Sequence, residues 1–267
     1  MTPSDKPTSR RTAGSNSAGS NSAGSNPGGG VPNSRRHRLA AAEAASRAGQ
    51  RRRTAGLVAI CVVLAAALLS YPVYLVVQDS RASNTALSDL GVAQSEAGCD
   101  PATTNPASGN QNHVADGTPV TYDPTPPDSG PHYASPAPFS KRFYTVDDRP
   151  AVATLVHNLE HGYTVAWYRP DAPPADVDAL QAVAKTFTAS DYDPTQKFIA
   201  APWTSADGAF PAGKNLVLAH WTADPAQPAN TTLQQGVQQA CATVSGAAVG
   251  SFLQTYPSTS SPEPNGA

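Results

Sequence analysis

The chain has 267 residues, enough for one domain of ordinary size with accessory segments. Its formal net charge of −2 combines two opposite parts: residues 1–53 carry ten basic and two acidic residues, whereas the chain from Asp79 onward carries eight basic and eighteen acidic residues. The acidic C-terminal part argues against nucleic acid as a partner.

The first 55 residues are predicted to precede any folded domain. Residues 1–34 contain a five-residue repeat of Ala, Gly, Ser and Asn. Such a segment cannot bury enough apolar surface to offset the entropy of ordering, so it is expected to be a disordered cytoplasmic tail. Residues 35–55 form a basic juxtamembrane segment, which fits a helix on an anionic inner leaflet and a solvated basic tail equally well.

Residues 56–78 are predicted to form a single transmembrane helix. No charged residue occurs from Leu57 to Val77, and a helix of this length rises about 31 Å, the thickness of the hydrocarbon layer. The basic cluster Arg51–Arg53 places the N-terminus in the cytoplasm and the C-terminal domain outside the cell membrane. A cleaved signal peptide and a twin-arginine signal fit less well, because the apolar run is long and no typical cleavage site follows it.

The cysteines agree with export. Cys61 lies in the predicted membrane helix, which leaves Cys99 and Cys241 as the pair outside it. An oxidising compartment would let these two form a disulfide, and closing a loop of roughly 140 residues contributes on the order of 5 kcal/mol. Two free thiols are the alternative, since spacing does not show that the two residues meet.

The composition after the membrane helix predicts a stalk, a domain and a tail. Residues 79–112 are polar and rich in Asn, Ser, Gly and Pro, as expected for a stalk. The globular domain is expected over residues 98–256, which overlaps the end of the stalk, and residues 257–267 are expected to be a disordered tail.

The first half of the domain contains a strand, a long loop and a helix. The strand is predicted at residues 119–122, and the Pro-rich loop over residues 124–144 is long enough to indicate a functional role. A helix is predicted to begin near Asp148, with Pro150 in its first turn, and to end at the C-cap residue Gly162.

The second half alternates strands and helices. Strands are predicted at residues 163–169, 197–202 and 215–221, and helices over 173–190 and 230–244. The alternation predicts an α/β or α+β domain with a single small mixed sheet.

The strongest chemical motif is H-x-x-E-H, formed by His157, Glu160 and His161. Positions i and i+4 share one helix face, so the two imidazoles can bind one metal ion while Glu160 acts as a catalytic base on bound water. Hydrolases with this inverted zinc pattern need a third ligand, usually a downstream glutamate. The other glutamates all lie outside the predicted core: Glu43, Glu96 and Glu263.

Other histidines offer a replacement ligand. His132 lies in the long loop and is the third member of a candidate zinc or copper site with His157 and His161, while His113 and His220 are weaker candidates. The same residues also fit a purely structural role, for example a histidine near a helix C-terminus that is stabilised by the helix dipole. Ser129 lies near His132, but no nucleophile elbow, phosphate-binding loop, dinucleotide fingerprint or Cys-x-x-Cys motif is present.

Three segments resemble one family. HVADGTPVTYDPTPPDSGPHY, LVHNLEHGYTVAWYRP and the later LAHW are similar to domain of unknown function 3105, found in membrane-anchored proteins of actinobacteria. The resemblance covers about His113 to Trp221 and implies an extracytoplasmic domain behind one N-terminal anchor. It implies no catalytic residues, because the family has no established activity. The chain departs from the family at LAHWT, where a Trp-Gly pair is expected, which makes His220 the weakest ligand candidate.

Three functions therefore stay open for this single-pass membrane protein. The first is an extracytoplasmic domain with a His-rich candidate metal site, and the second is a zinc hydrolase of the cell envelope that uses Glu160. The third is a non-catalytic module that binds an envelope protein or wall polymer, although the strand at residues 163–169 is expected to place its aromatic residues in the core. The sequence does not predict the oligomeric state.

Overall fold

The computed structural model describes residues 33–107, 112–189 and 191–266, and the chain divides after Ala67 into two compact units. Helix α1 (Asn33–Asn84) runs from the first unit into the second. Its segment Arg35–Pro72, with an apolar window of mean hydropathy 2.3, is the one helix in the described part of the chain that is long and apolar enough to cross a membrane. The predicted disordered tail lies almost wholly outside the described residues.

The second unit contains a mixed α/β fold, as the sequence predicted. Its five-stranded sheet has the order β1-β7-β6-β4-β5, and only the β4–β5 pair is parallel. The strands of this sheet are β1 (Thr103–Pro106), β4 (Thr164–Tyr168), β5 (Phe198–Pro202), β6 (Leu216–Thr222) and β7 (Gln235–Cys241). A separate parallel pair joins the short strands β2 (His113–Val114) and β3 (His132–Tyr133).

Three helices pack on this sheet: α2 (Val152–Glu160), α3 (Pro174–Lys185) and α4 (Gly246–Thr255). Side chains alternate along each strand, so the sheet has two buried faces. On β4, Ala166 and Tyr168 belong to the core cluster formed with α3 and α4. Val165 and Trp167 belong to the cluster formed with α2. The aromatic residues of β4 are therefore core residues, as predicted.

Two element predictions were wrong. Residues 119–122 form no strand, and the segment predicted as a helix over residues 230–244 contains the 3-10 turn Thr231–Leu233 and strand β7. Its Gln and Ala residues favour a helix in isolation, but β7 pairs on both edges, with β1 and with β6, and this tertiary pairing overrides the local preference.

Helix α2 ends where the sequence predicted but begins later. Gly162 follows it with φ +88°, a left-handed conformation suited to glycine. Asp148 does not cap α2. Its carboxylate instead accepts a hydrogen bond from the backbone N–H of Thr145 at 2.7 Å, and the N-cap position is occupied by Ala151.

The expected stalk is partly folded into the domain. Leu87 and Leu90 pack against the cluster that contains α4, and the backbone N–H of Val92 donates to Val244 O at 3.0 Å. Cys99 and Cys241 form a disulfide, which attaches the segment before β1 to the end of β7. The domain therefore begins closer to α1 than its polar composition indicated, because a few leucines and backbone hydrogen bonds hold the segment.

The C-terminal segment, residues 257–266, packs on the domain, which differs from the disordered tail expected from composition. The backbone N–H of Glu263 donates to Glu160 O at 3.0 Å. The buried ammonium of Lys197 donates to Pro264 O and Gly266 O, both at 2.8 Å. These contacts use backbone groups, so side-chain composition carries little information about them.

Candidate metal centre

Four side chains that can bind a metal converge in the second unit: His113, His132, His157 and Glu160. One ligand atom from each lies within 4.8 Å of all the others. They come from three elements, because the β2–β3 pair places His113 directly opposite His132, and α2 carries His157 and Glu160. These two α2 residues are three positions apart and therefore share one face of the helix.

The loop that carries His132 is fixed to the sheet. Asp128 is 1% exposed, and its carboxylate lies so close to β7 that a Cβ at Gly236 would be 2.0 Å from Asp128 Oδ1. Asn105 of β1 donates to Asp128 Oδ2 at 3.1 Å. Burial raises the pKa of Asp128 to about 6. The glycine is needed here because any side chain would displace the loop and, with it, His132.

Backbone carbonyls set the orientation of two imidazoles. Nδ1 of His132 lies 2.8 Å from Gly130 O, and Nδ1 of His157 lies 2.6 Å from Tyr133 O. A carbonyl accepts but does not donate, so Nδ1 carries a proton in both rings, and in the neutral form of each ring Nε2 carries the lone pair. Metal-binding histidines usually have this arrangement, with the second ring nitrogen held by a carbonyl or carboxylate.

Glu160 adds a buried negative charge to this centre. The residue is 0% exposed, and neither carboxylate oxygen has a hydrogen-bond partner among the described residues. Oε2 lies 2.9 Å from His132 Nε2 and 3.9 Å from His113 Nε2. In the neutral form of His132 the ring lone pair faces this carboxylate and the two repel, and a buried charge without a hydrogen-bond donor is costly. A cation between them would remove both penalties.

The imidazole of His157 stays neutral over the physiological range. Burial, together with the neighbouring His161 and His132, lowers its pKa to about 4. A neutral imidazole is the form that binds metal ions, so protons do not compete strongly with a metal at this ring.

His161 lies beside the centre and outside the four-residue group. Its Nε2 is 2.9 Å from His157 Nε2 and 3.4 Å from the carboxylate oxygen Oε2 of Glu263. Glu263 was predicted to lie outside the core, but its side chain lies next to the H-x-x-E-H segment. No sequence signal marks Glu263, since the residue lies in a segment without periodicity or a motif.

His220 lies apart from these residues. Its ring is 0% exposed on β6, with Nδ1 3.3 Å from Tyr163 O and Nε2 3.5 Å from Ser260 Oγ. Burial lowers its pKa to about 4. His220 is therefore a neutral core residue, and the structure does not bring it to the candidate metal centre.

The burial of His220 predicts a pH dependence of stability. Its pKa is about 4 in the folded protein and near 6.5 in the unfolded chain, so the unfolded state binds the proton first as pH falls. The contribution of neutral His220 to the free energy of unfolding is therefore present above about pH 6.5. As the pH falls towards 4, this contribution decreases by on the order of 1–3 kcal/mol. Denaturant unfolding of the wild type and His220→Asn, both with a chelator, should show this difference. A difference in the free energy of unfolding between the two proteins that stays constant from pH 7 to pH 4 would contradict this prediction.

Three imidazoles and one carboxylate form a suitable ligand set for a borderline-soft divalent ion such as Zn²⁺ or Cu²⁺. His132, His157 and Glu160 are buried, whereas the side chain of His113 is 43% exposed. The exposed ligand gives the solvent access to one side of the centre.

Comparison with known proteins identifies a family but gives no activity for it. A family model described as a protein of unknown function (DUF3105) matches residues 113–267. This segment includes all four residues of the candidate metal centre. Neither the curated proteins nor the solved structures gave a match.

Proposed function

The chain belongs to the DUF3105 family of proteins of unknown function, and we propose that its folded domain binds one divalent transition-metal ion, Zn²⁺ or Cu²⁺. The ligands are His113, His132, His157 and Glu160. The domain is attached to the cell membrane by α1 and lies on the extracytoplasmic side.

The observation that carries this proposal is the unpartnered carboxylate of Glu160. Among the described residues its two oxygens have no hydrogen-bond donor, and a neutral His132, whose Nδ1 proton is held by Gly130 O, presents its Nε2 lone pair to them. His157 is fixed in the same way. A cluster that served only as a polar scaffold would pair donors with acceptors. At Glu160 and a neutral His132 an acceptor faces an acceptor, which is the pattern that a metal ion satisfies.

The proposed location rests on α1, on charge and on the disulfide. Arg35–Pro72 can span a bilayer by length and composition, and the basic residues precede the apolar run, which favours a cytoplasmic N-terminus. The disulfide between Cys99 and Cys241 suits an oxidising compartment. These features together support a metal site that faces the outside of the cell.

A ligand role for Glu160 is favoured over the role of a catalytic base. A base in a zinc hydrolase lies beside the metal and contacts a water molecule. The Glu160 carboxylate is instead buried among the ligand atoms of three histidines. We therefore propose metal binding without assigning a hydrolytic reaction to the site.

The proposal predicts one tightly bound ion per chain. The full-length protein should be purified in detergent with Cys61→Ser, which removes the thiol in α1, and its metal content measured by mass spectrometry after dialysis against Zn²⁺. His132→Ala should weaken binding by roughly 100-fold or more, because it removes a buried ligand whose second ring nitrogen is already held in place. His220→Asn is the matched control, since this buried histidine lies outside the cluster. A metal-free wild type, or equal binding by both variants, would overturn the proposal.

A further inference from the structure

We infer that His161 and Glu263, together with His157, form a second position for the same class of ion, a divalent transition-metal cation. This inference rests on the proposed function. It adds an outer position, defined by these three residues, to the inner position defined by His113, His132, His157 and Glu160.

Two pairs of atoms at the outer position have spacings close to those around a metal ion. His157 Nε2 and His161 Nε2 are 2.9 Å apart, and His161 Nε2 is 3.4 Å from Glu263 Oε2. Ligand atoms around tetrahedral Zn²⁺ with bonds near 2.0–2.1 Å lie about 3.3 Å from each other. Two imidazoles and a carboxylate are also an ordinary ligand set for such an ion. Glu263 supplies the third ligand that the H-x-x-E-H motif alone lacks.

The two positions share His157 and therefore exclude each other. Nδ1 of His157 is held by Tyr133 O at 2.6 Å, which leaves Nε2 as its one available ligand atom. A nitrogen lone pair binds one metal ion at a time, so one chain holds its ion at the inner or the outer position, with His157 as a ligand in both.

The outer ligands are held by a common support. The ammonium of Lys197 is 2% exposed and donates to His161 O at 2.6 Å and to Pro264 O at 2.8 Å. The backbone N–H of Glu263 donates to Glu160 O at 3.0 Å. The end of α2 and the C-terminal segment are thereby fixed to each other, which places Glu263 beside His161 before any ion arrives.

Exposure and ligand number distinguish the two positions. The side chains of His161 and Glu263 are 10% and 41% exposed, whereas the side chain of Glu160 is 0% exposed. The outer position also supplies three ligands in place of four. It should therefore bind more weakly than the inner position and become measurable when the inner position is disabled.

Cobalt titration of the full-length chain in detergent tests the outer position, because Co²⁺ in a protein site gives visible absorption bands. In the Cys61→Ser background, His132→Gln with Glu160→Gln disables the inner position. This variant should still bind one Co²⁺ per chain, with a Kd roughly 100-fold weaker than the wild type. Adding Glu263→Gln should weaken the remaining site by about 10-fold or more, and Glu263→His should restore it, because imidazole replaces the carboxylate as a ligand.

Each outcome decides the inference. Residual binding that is unchanged by Glu263→Gln, or a folded inner-site variant that binds no Co²⁺, overturns the outer position while the proposed function stands. A wild type that binds no Co²⁺ overturns the proposed function itself. Near-ultraviolet circular dichroism reports whether the inner-site variant is folded. If it is not, His113→Ala with Glu160→Gln replaces it, since one change is at a half-exposed residue and the other preserves side-chain shape.

Discussion

Replacing Glu160 by glutamine should stabilise the metal-free protein and remove most of the stabilisation that a bound metal gives. Without metal, the variant removes a buried carboxylate that has no hydrogen-bond donor among the described residues. Its amide can donate to His132 Nε2, which lies 2.9 Å from the present Oε2. We expect the free energy of unfolding to rise by about 1–3 kcal/mol, the usual penalty of an unsatisfied buried polar group.

With metal this gain is offset, because the glutamine amide is a poor ligand for Zn²⁺ and leaves the ion's charge uncompensated. We expect the Kd for Zn²⁺ to rise by about 100-fold, so that the metal no longer stabilises the variant as it does the wild type. Denaturant unfolding of the full-length chain in detergent, once with a chelator and once with excess Zn²⁺, measures both effects.

Glu96→Gln is the matched control for this experiment. Glu96 is exposed in the 3-10 turn Gln94–Glu96, so its replacement removes the same charge without touching the metal centre. Its unfolding curves should coincide with those of the wild type under both conditions. A Glu160→Gln variant that loses stability in the chelator would show that the carboxylate already has donors, and the argument for a metal would fail.

Loss of the disulfide should give the second large effect. The bridge joins Cys99 to Cys241 across a sequence separation of 142 residues, and Cys241 is 1% exposed in the core. Removing a bridge of this kind typically lowers the free energy of unfolding by about 2–5 kcal/mol, since the unfolded chain gains the freedom of a long loop. Cys99→Ala with Cys241→Ala should show this loss in denaturant unfolding, whereas Cys61→Ser should not.

The variant that lacks the disulfide, Cys99→Ala with Cys241→Ala, should keep almost the same affinity for metal as the wild type. Cys241 belongs to the core cluster on the side of α3 and α4, while the metal centre is built on α2 against the other face of the sheet. We expect the Kd for Zn²⁺ to stay within about threefold of the wild-type value, because distant sites without shared contacts are usually independent. A Kd that rises as much as in Glu160→Gln would show that the two faces of the sheet are coupled.

Local patterns were sufficient to predict most of the fold. The strand at Thr164–Tyr168 and the helix at Pro174–Lys185 follow from β-branched and aromatic enrichment and from helical periodicity. Strand β7 could not be predicted from local patterns, because its Gln-rich and Ala-rich sequence favours a helix in the absence of the two neighbouring strands that pair with it. The helix Gly246–Thr255 was also missed, because its small residues give no marked helical stripe.

The sequence predicted the types of residue at the candidate site better than it predicted which individual residues form it. His132 and His157 were expected to meet, and the structure brings them together with Glu160. His113 was only a weaker candidate because its place depends on the parallel pairing of two-residue strands, for which the sequence has no signal. Glu263 was assigned to a tail, since nothing in its neighbourhood indicates that backbone hydrogen bonds fix the segment.

The packing of the C-terminal segment determines where the chain can be shortened. A fragment cut after Tyr256, at the boundary that composition suggests, would lose the carbonyls of Pro264 and Gly266 that accept from Lys197. Among the described residues, the ammonium would keep one backbone acceptor, His161 O at the end of α2. Recombinant versions that omit the final residues are therefore expected to be less stable, and a purification tag belongs at the opposite terminus.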